Sequence, residues 1–321
     1  MPRKIPPMEL DLWVLLPAAG TKYCDIGQMT SLINRKSLRQ GYQYAVQDAT
    51  LFAPSGTVAG GAASTCILER LPHHWAAVNA WVKAFEVWRE SEDQVLDIAP
   101  SLAGKYRDYK IFMDGTHANQ SNQLAGNLCP VGFGDYGITD PVLGTVNYEW
   151  DASQIVIPND PNAPVPGDTE EYFMHMVGAD NGVKSVGMIH GYAQSRARPV
   201  SPDPNTVAST GWMVQSMDVG DNLAEIELNV RGANRETPYY LNGDAGSGIE
   251  YYPGGHQIGG LEFVADLSTT QYQTQKSSGG FLANCGLLKL TTTGSEQALL
   301  RIRLAPGDYK GVMARPMQDV N

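Results

Sequence analysis

The sequence predicts a mainly β protein that folds as a β-sandwich with long loops and a few inserted helices. The chain of 321 residues contains 34 glycines and 20 prolines, which place turns between short segments and disfavour an architecture of long helices. Hydrophobic residues make up 42% of the chain and charged residues 18%, a composition that supports a packed core. Segments with strand patterns number about eight or nine, which fits one sandwich with Greek-key connections. We therefore expect residues 1–321 to form a single enlarged domain.

The strand candidates are short apolar runs, or stretches in which apolar and polar residues alternate. The clearest is near the C-terminus, where Leu300, Ile302 and Leu304 share one face and Arg301 and Arg303 share the other. In chain order the candidates are residues 12–16, 42–52, 64–71, 106–113, 147–158, 171–177, 261–267, 281–291 and 300–304. Residues 223–230 fit a strand and a helix equally well.

One amphipathic helix is predicted over residues 75–98, as a helical insertion after Pro72. Its apolar residues recur at three- and four-residue spacing: Val78, Trp81, Val82, Phe85 and Trp88. We expect this aromatic stripe to pack on the sheet as core and not to hold a ligand, because such rings contribute large apolar area. A second, weaker helical pattern covers residues 185–198.

Two loop insertions are predicted, at residues 115–145 and 159–170, where Gly, Asn, Asp and Pro dominate. The second contains or adjoins four acidic residues: Asp160, Asp168, Glu170 and Glu171. Oxygen-rich loops suit calcium, so a calcium ion shared at a subunit contact is one hypothesis for them. The alternative is a solvated loop.

The chemistry of common enzymes is missing from the sequence. No GxSxG, HExxH, GxxxxGK[ST] or GxGxxG motif is found at the required position, and the six histidines are scattered. Asp114 and His117 lie three residues apart, but such spacing is weak evidence for a site. We therefore expect no enzymatic activity, no catalytic residues and no resident metal or cofactor.

The four cysteines are far apart in the sequence: Cys24, Cys66, Cys129 and Cys285. Because none forms a CxxC pair, we expect buried free thiols and neither a zinc site nor a disulfide framework.

The net charge of −11 argues against a general nucleic-acid binder, so any contact with a polynucleotide must be local. No stretch approaches the ~20 apolar residues that a membrane-spanning helix needs, and Asp11 interrupts any signal-peptide core. We expect a soluble protein that is not secreted by a signal of its own and has no membrane partner.

Several local patterns, spread over nearly the whole chain, resemble the major capsid proteins of small circular single-stranded DNA viruses. They are Asn34-Arg35-Lys36 with Arg39-Gln40-Gly41, Trp75 with Asn79-Ala80-Trp81 and Phe85-Glu86, Tyr252-Pro253-Gly254-Gly255, Cys285-Gly286-Leu287-Leu288-Lys289-Leu290, and Leu304-Ala305-Pro306-Gly307-Asp308-Tyr309-Lys310-Gly311 with Pro316-Met317. The resemblance implies a single jelly roll of about eight strands that assembles with copies of itself into an icosahedral shell around a small genome. It also implies a place in the virion after synthesis in the cytoplasm or nucleus of a host cell.

Many capsid proteins of this kind carry a long arginine-rich N-terminal arm, whereas only Arg3 and Lys4 precede the first strand here. Packaging polyphosphate in a shell of acidic subunits then requires a locally basic surface. Arg35, Lys36 and Arg39 are the best local candidates, together with Arg3 and Lys4. We expect this cluster to face the interior and bind phosphates without reading sequence; the alternative is a solvated or salt-bridged loop.

Tyr42 and Tyr44, next to the basic cluster, are candidate platforms on which bases stack. Arg301 and Arg303 are the second choice of basic site and are candidates for an intersubunit contact instead. The main functional alternative to a capsid protein is a glycan-binding β-sandwich module of the spike or adhesin type.

Overall fold

The computed structural model describes residues 8–52, 64–98, 100–104, 107–120, 127–131, 138–140, 144–146, 152–158, 169–178, 185–196, 198–199, 249–250, 260–270, 273–294 and 297–320. Within these residues the chain is mainly β, with curled antiparallel sheets, which confirms the predicted class. That the whole chain forms one domain stays a prediction.

The strands are numbered in chain order: β1 (Asp11–Leu16), β2 (Gly20–Asp25), β3 (Tyr42–Phe52), β4 (Thr65–Arg70), β5 (Phe112–Asp114), β6 (Ile138–Asp140), β7 (Gly144–Val146), β8 (Gln154–Pro158), β9 (Thr169–Val177), β10 (Ser185–Gly187), β11 (Arg198–Pro199), β12 (Ile249–Glu250), β13 (Glu262–Ser268), β14 (Gln275–Ser277), β15 (Phe281–Ala283), β16 (Leu287–Thr293), β17 (Ala298–Leu304), β18 (Pro306–Gly307), β19 (Gly311–Val312) and β20 (Ala314–Pro316). The α-helices are α1 (Ile26–Asn34), α2 (Trp75–Ile98), α3 (Gly115–Gln120) and α4 (Met188–Arg196). Short 3₁₀ helices cover Pro100–Gly104, Asn284–Gly286 and Met317–Asp319.

Two antiparallel sheets form a sandwich. One has the order β1-β17-β3-β14, with β15 and β20 also pairing with β3, and the other has the order β13-β4-β16-β2. Residues alternate between buried and half-exposed along β17, as the period of two predicts for a strand with one face on the core. Apolar side chains from both sheets pack into one core, in which Leu12, Leu68 and Leu300 are completely buried.

The strands of the sandwich pair in nested order. The first strand, β1, pairs with β17, and the second strand, β2, pairs with β16, which directly precedes β17 in the chain. Next, β3 pairs with β14 and β15, and β4 pairs with β13. Because successive strands run in opposite directions, connections fall alternately at the two ends of the sandwich. Four segments therefore lie at the same end of the sandwich: the β2–β3 connection, the residues after β4, the turn before β16 and the residues after β17.

The segment between β4 and β13 contributes a second core at that end. Helix α2 packs there against α4 and against β8 and β9, and Trp81 and Trp88 are 4% and 8% exposed. The bounds of α2 confirm the predicted helix, and Val78, Trp81 and Trp88 of its apolar stripe are buried, whereas Val82 and Phe85 are half-buried. In the adjoining sheet, β9 lies parallel to β5 and β10, an arrangement that the sequence did not indicate.

The prediction of an uninterrupted loop over residues 115–145 is wrong. The segment contains helix α3 and the antiparallel pair β6 and β7. Its residues 127–131 also follow the edges of both sheets, since Leu128 donates to Tyr23 and Val131 donates to Trp13. Asp114 caps α3 by accepting a hydrogen bond of 2.8 Å from the His117 backbone. The helix was not predicted because Gly and Asn dominate this part of the sequence.

Other predicted bounds need smaller corrections. Strand β9 begins at Thr169, inside the predicted loop at 159–170, whose residues 159–168 lie outside the described ones. The predicted strand at 106–113 is reduced to β5, and the weak helix at 185–198 is strand β10 followed by α4. Strand β2 and helix α1 were not predicted. Residues 223–230 lie outside the described residues. No helix of the described part is long and apolar enough to cross a membrane.

Candidate nucleic-acid interface

The predicted basic cluster forms a loop between α1 and β3, here called the basic loop (residues 35–39). Asp25 caps the N-terminus of helix α1, and its side chain accepts a hydrogen bond of 3.0 Å from the Gln28 backbone. Arg35 caps the C-terminus and adopts the left-handed conformation with φ 50° and ψ 41°. Gly27 allows this turn to form, because a Cβ at that position would lie only 3.3 Å from the Arg39 carbonyl carbon. The chain therefore reverses tightly and places the basic loop at the end of the sandwich where the second core lies.

Hydrogen bonds fix the backbone of the basic loop at several points. The Leu38 amide donates to the Ser31 hydroxyl at 2.8 Å, and the Tyr44 hydroxyl donates to the Arg39 carbonyl at 2.6 Å. The Arg39 amide in turn donates to the Tyr309 hydroxyl at 3.2 Å. The basic side chains thus project from a well-anchored backbone.

The cations of the basic loop are available to solvent. Arg35 is exposed and Lys36 is half-buried, and the Arg39 side chain is 56% exposed with Asp108 as a distant partner at 4.0 Å. Lys310, from the segment after β17, joins them by donating a hydrogen bond to the Ser37 carbonyl. The structure therefore brings together the three described residues of the predicted cluster of five and adds Lys310 as a further cation.

A groove of about 390 Å³ lies between the basic loop and α2. Rings form much of its lining: Tyr42, Trp81, Phe85, Trp88 and Tyr109. Trp81 and Phe85 are stacked with their centroids 5.2 Å apart and their planes 5° apart. At Gly41 a Cβ would lie 2.9 Å from Trp81 Cζ2, so the missing side chain lets the loop approach the tryptophan closely. Trp81, Trp88 and Tyr109 are at most 8% exposed, so the accessible ring surface of the groove comes from Tyr42 and Phe85.

Both signs of charge line this groove. Arg39, Arg89 and Arg107 contribute the cations, and Glu92, Asp93 and Asp108 contribute the carboxyl groups. Arg107 lies 3.5 Å from Asp93, and the buried Asp108 lies 3.8 Å from Lys110. Burial raises the pKa of Asp108 although Lys110 and Arg39 oppose the shift. Arg89 and Arg39 are exposed, so their guanidinium groups are accessible to an anion, and the Asp93 side chain is exposed beside them.

The two predicted stacking tyrosines have different positions. Tyr44 is completely buried in the sandwich core, so its ring is not accessible to a base and its proposed stacking role is wrong. Burial, the main cause, raises the pKa of Tyr44 well above its usual value. Tyr42 is half-buried and stacks on Tyr309 with centroids 3.9 Å apart, and its ring lines the groove. Only Tyr42 keeps the predicted access to a ligand.

Arg301 and Arg303 lie on the outer face of β17 and bind carboxylates of neighbouring strands. Arg303 donates to both oxygens of Asp11, at 2.7 and 3.0 Å. Arg301 donates to Asp48 at 3.0 Å, and its guanidinium lies 5.8 Å from the centre of the Trp13 ring. These groups therefore make contacts within one chain, and an intersubunit contact through them stays a prediction.

Arg3 and Lys4 lie outside the described residues, as do Asp160 and Asp168 of the calcium hypothesis. The side chains of Glu170 and Glu171 are outside them too, so the calcium hypothesis stays a prediction. Among the described residues, no group of three or more His, Cys, Asp or Glu side chains could hold a metal ion.

Asp114 and His117, whose spacing is weak evidence for a site, belong to a largely buried polar cluster. Asp114 accepts hydrogen bonds from Tyr23 at 2.7 Å and from Lys289 at 3.0 Å. The His117 ring stacks on Tyr23 with centroids 4.1 Å apart and is 1% exposed. The cluster joins β2, β5, α3 and β16, and its burial indicates a structural role.

No family model, curated protein or solved structure matches this chain.

Proposed function

We propose that this chain is a viral major capsid protein, a single jelly roll that assembles with copies of itself into an icosahedral shell around a nucleic-acid genome. The observation that carries the proposal is the nested pairing of β1 with β17, β2 with β16, β3 with β14 and β15, and β4 with β13. Folding such a ribbon of strand pairs over itself produces two facing four-stranded sheets. The sheet orders β1-β17-β3-β14 and β13-β4-β16-β2 are those that this folding requires, which supports the jelly roll.

Jelly rolls occur in viral shells, lectins and cupins, so the topology alone does not decide the function. The space between the two sheets is filled by apolar side chains such as Val14, Leu51 and Leu290. This packing favours a domain that acts through its outer surfaces. A shell subunit and a glycan-binding module both do so.

The basic loop supports the shell over the glycan-binding module. Three of its five residues are cations, and Lys310 adds a fourth, in a chain with a net charge of −11. Phosphate binding by exposed lysines and arginines gives affinity without reading sequence, which is what packaging requires. A site for neutral sugars has no such need for concentrated positive charge. The loop is therefore the proposed contact with the genome.

The test compares nuclease-protected nucleic acid in purified particles of the parent chain and of the triple variant Arg35→Ala, Lys36→Ala and Arg39→Ala. We expect particles of both, with several-fold less protected nucleic acid in the variant, because fewer phosphates are neutralised. A double variant that keeps the charge, Arg35→Lys with Arg39→Lys, should package as the parent does. A second control, Lys83→Ala with Lys276→Ala, removes exposed cations outside the loop and should also package normally.

Equal packaging by the triple variant would remove the role of the basic loop while leaving shell formation in place. Binding of glycans by a stable monomer, with no particles under any condition, would favour the glycan-binding module instead.

A further inference from the structure

We propose that the groove between the basic loop and α2 binds one nucleotide unit of single-stranded nucleic acid, with its base against the aromatic wall and its phosphate at Arg39 and Arg89. The inference rests on the proposed function and deepens it, because it assigns a defined nucleotide site to a chain otherwise expected to hold its genome by charge alone.

The size of the groove suits such a unit. Its volume of about 390 Å³ lies within the range of roughly 300–1,000 Å³ that small-ligand sites occupy. It is also built from distant parts of the chain: Arg39 lies in the β2–β3 connection and Tyr42 begins β3, Trp81 to Asp93 belong to α2, and Pro316 ends β20. The nested strand order brings these parts to one end, so the groove is a product of the fold and not of one loop.

The aromatic wall suits a base. Phe85 lies parallel to Trp81 and is half-buried, and Trp88 lies 5.9 Å from Phe85 between ring centroids. Tyr109 contacts Phe85 edge-on at 5.4 Å, which holds the phenylalanine ring in place. The half-buried Phe85 ring is therefore the surface of this wall against which a base stacks in our proposal, since every base has a π-face.

The charges of the groove suit the other parts of a nucleotide. The exposed guanidinium groups of Arg39 and Arg89 are donors for phosphate oxygens. Glu92 and Asp93 line the same groove, and carboxylates accept hydrogen bonds from the amino groups on base edges. Three arginines and three carboxylates line the groove, so it offers partners both for an anion and for amino donors. The mixed lining suits a ligand that carries an anion, a flat ring and amino donors together.

The test is a titration of the purified chain with adenosine monophosphate and with a short single-stranded DNA oligonucleotide, followed by tryptophan fluorescence and by calorimetry. Two variants address the groove: Phe85→Leu removes the ring and keeps apolar volume, and Arg89→Ala removes one phosphate donor. Each should weaken binding about tenfold relative to the parent. Val87→Ala and Lys83→Ala, at exposed positions of the same helix, are the matched controls and should bind as the parent does.

Thermal unfolding of each variant shows whether the fold is retained, and Arg89→Ala at its exposed position keeps the test valid if Phe85→Leu unfolds. Absence of binding by the parent, or equal binding by Arg89→Ala and the parent, would overturn the inference. Particle formation is scored separately: particles without nucleotide binding reject the groove and keep the shell, whereas nucleotide binding without particles keeps the groove and rejects the shell.

Discussion

Gln40 and Asp25 are joined by a buried hydrogen bond of 3.0 Å, which the side-chain amide of Gln40 donates to the Asp25 carboxylate. The same Gln40 side chain accepts a hydrogen bond of 2.7 Å from the backbone amide of Ile111 and donates one of 3.2 Å to the backbone carbonyl of Ile111. Asp25 caps α1, Gln40 follows the basic loop, and Ile111 belongs to the segment between β4 and β13. One amide group therefore connects the sandwich, the basic loop and the second core.

Replacing Gln40 by Ala should lower the free energy of unfolding by about 3 kcal/mol, because it leaves a buried carboxylate and two backbone groups without this partner. Urea unfolding followed by circular dichroism measures the change. Gln47→Ala, at an exposed position of β3, is the matched control and should cost well under 1 kcal/mol by the usual effect of surface substitutions. Equal free energies of unfolding of the two variants would show that these hydrogen bonds do not stabilise the fold.

The lowered pKa of His117 predicts that the free energy of unfolding falls in mild acid. Burial lowers the pKa of His117 from 6.5 to about 4, against the opposing effect of Asp114. The Met113 amide donates to Nδ1 at 3.1 Å, so a second proton on the ring would break this bond. Below pH 6.5 the unfolded chain binds a proton that the folded chain rejects, and stability falls as the pH drops from there towards 4.

The expected loss between pH 7 and pH 5 is about 2 kcal/mol from this group. Unfolding free energies at the two pH values measure it in the parent and in His117→Gln, which should lose most of this difference. His73→Gln, an exposed histidine, serves as the control and should retain the behaviour of the parent. If His117→Gln weakens in acid as much as the parent does, another group is responsible.

The thiols should be largely unreactive in the folded chain. Cys24, Cys66 and Cys285 are completely buried, and burial raises the pKa of the Cys66 thiol to about 12. At pH 8, Ellman's reagent should modify these three cysteines only after unfolding in urea, and Cys129, which is half-buried, should react first. Cys129→Ser removes the early reaction if this order is right; rapid reaction of that variant without urea would contradict the packing of the core.

The free energy of unfolding should depend on Trp81, which is buried on α2. Trp81→Ala should cost about 3–5 kcal/mol, since it leaves a cavity where the ring contacts Phe85 and Tyr109. Val87→Ala on the exposed side of the same helix should change stability little, because Val87 is 51% exposed. Chemical unfolding of the two variants gives the comparison, and a cost below 1 kcal/mol for Trp81→Ala would place the ring outside the core.

Local patterns predicted the elements whose burial follows a regular period. The spacing of Trp81, Phe85 and Trp88 located α2, and the alternation around Leu300 located β17. Strand β2 was missed because its buried residues Tyr23, Cys24 and Asp25 are consecutive, so no alternation marks it.

The nested strand order could not be predicted from local patterns. It joins residues as far apart as Asp11 and Arg303, which are separated by 292 positions. The same limit applies to the candidate site: Arg35, Lys36 and Arg39 were visible as a cluster in the sequence. Lys310, Arg89 and Arg107 reach the site only through tertiary packing, and no local signal marks them.

The central claim is that this chain builds a closed shell from copies of itself. Size-exclusion chromatography with light scattering, followed by negative-stain microscopy of any high-mass peak, tests it most directly on the purified chain. We expect uniform closed particles, with an absorbance ratio at 260 and 280 nm that shows bound nucleic acid in the parent and less of it in the basic-loop triple variant. A monomer or trimer that persists across salt, pH and calcium conditions would contradict the claim.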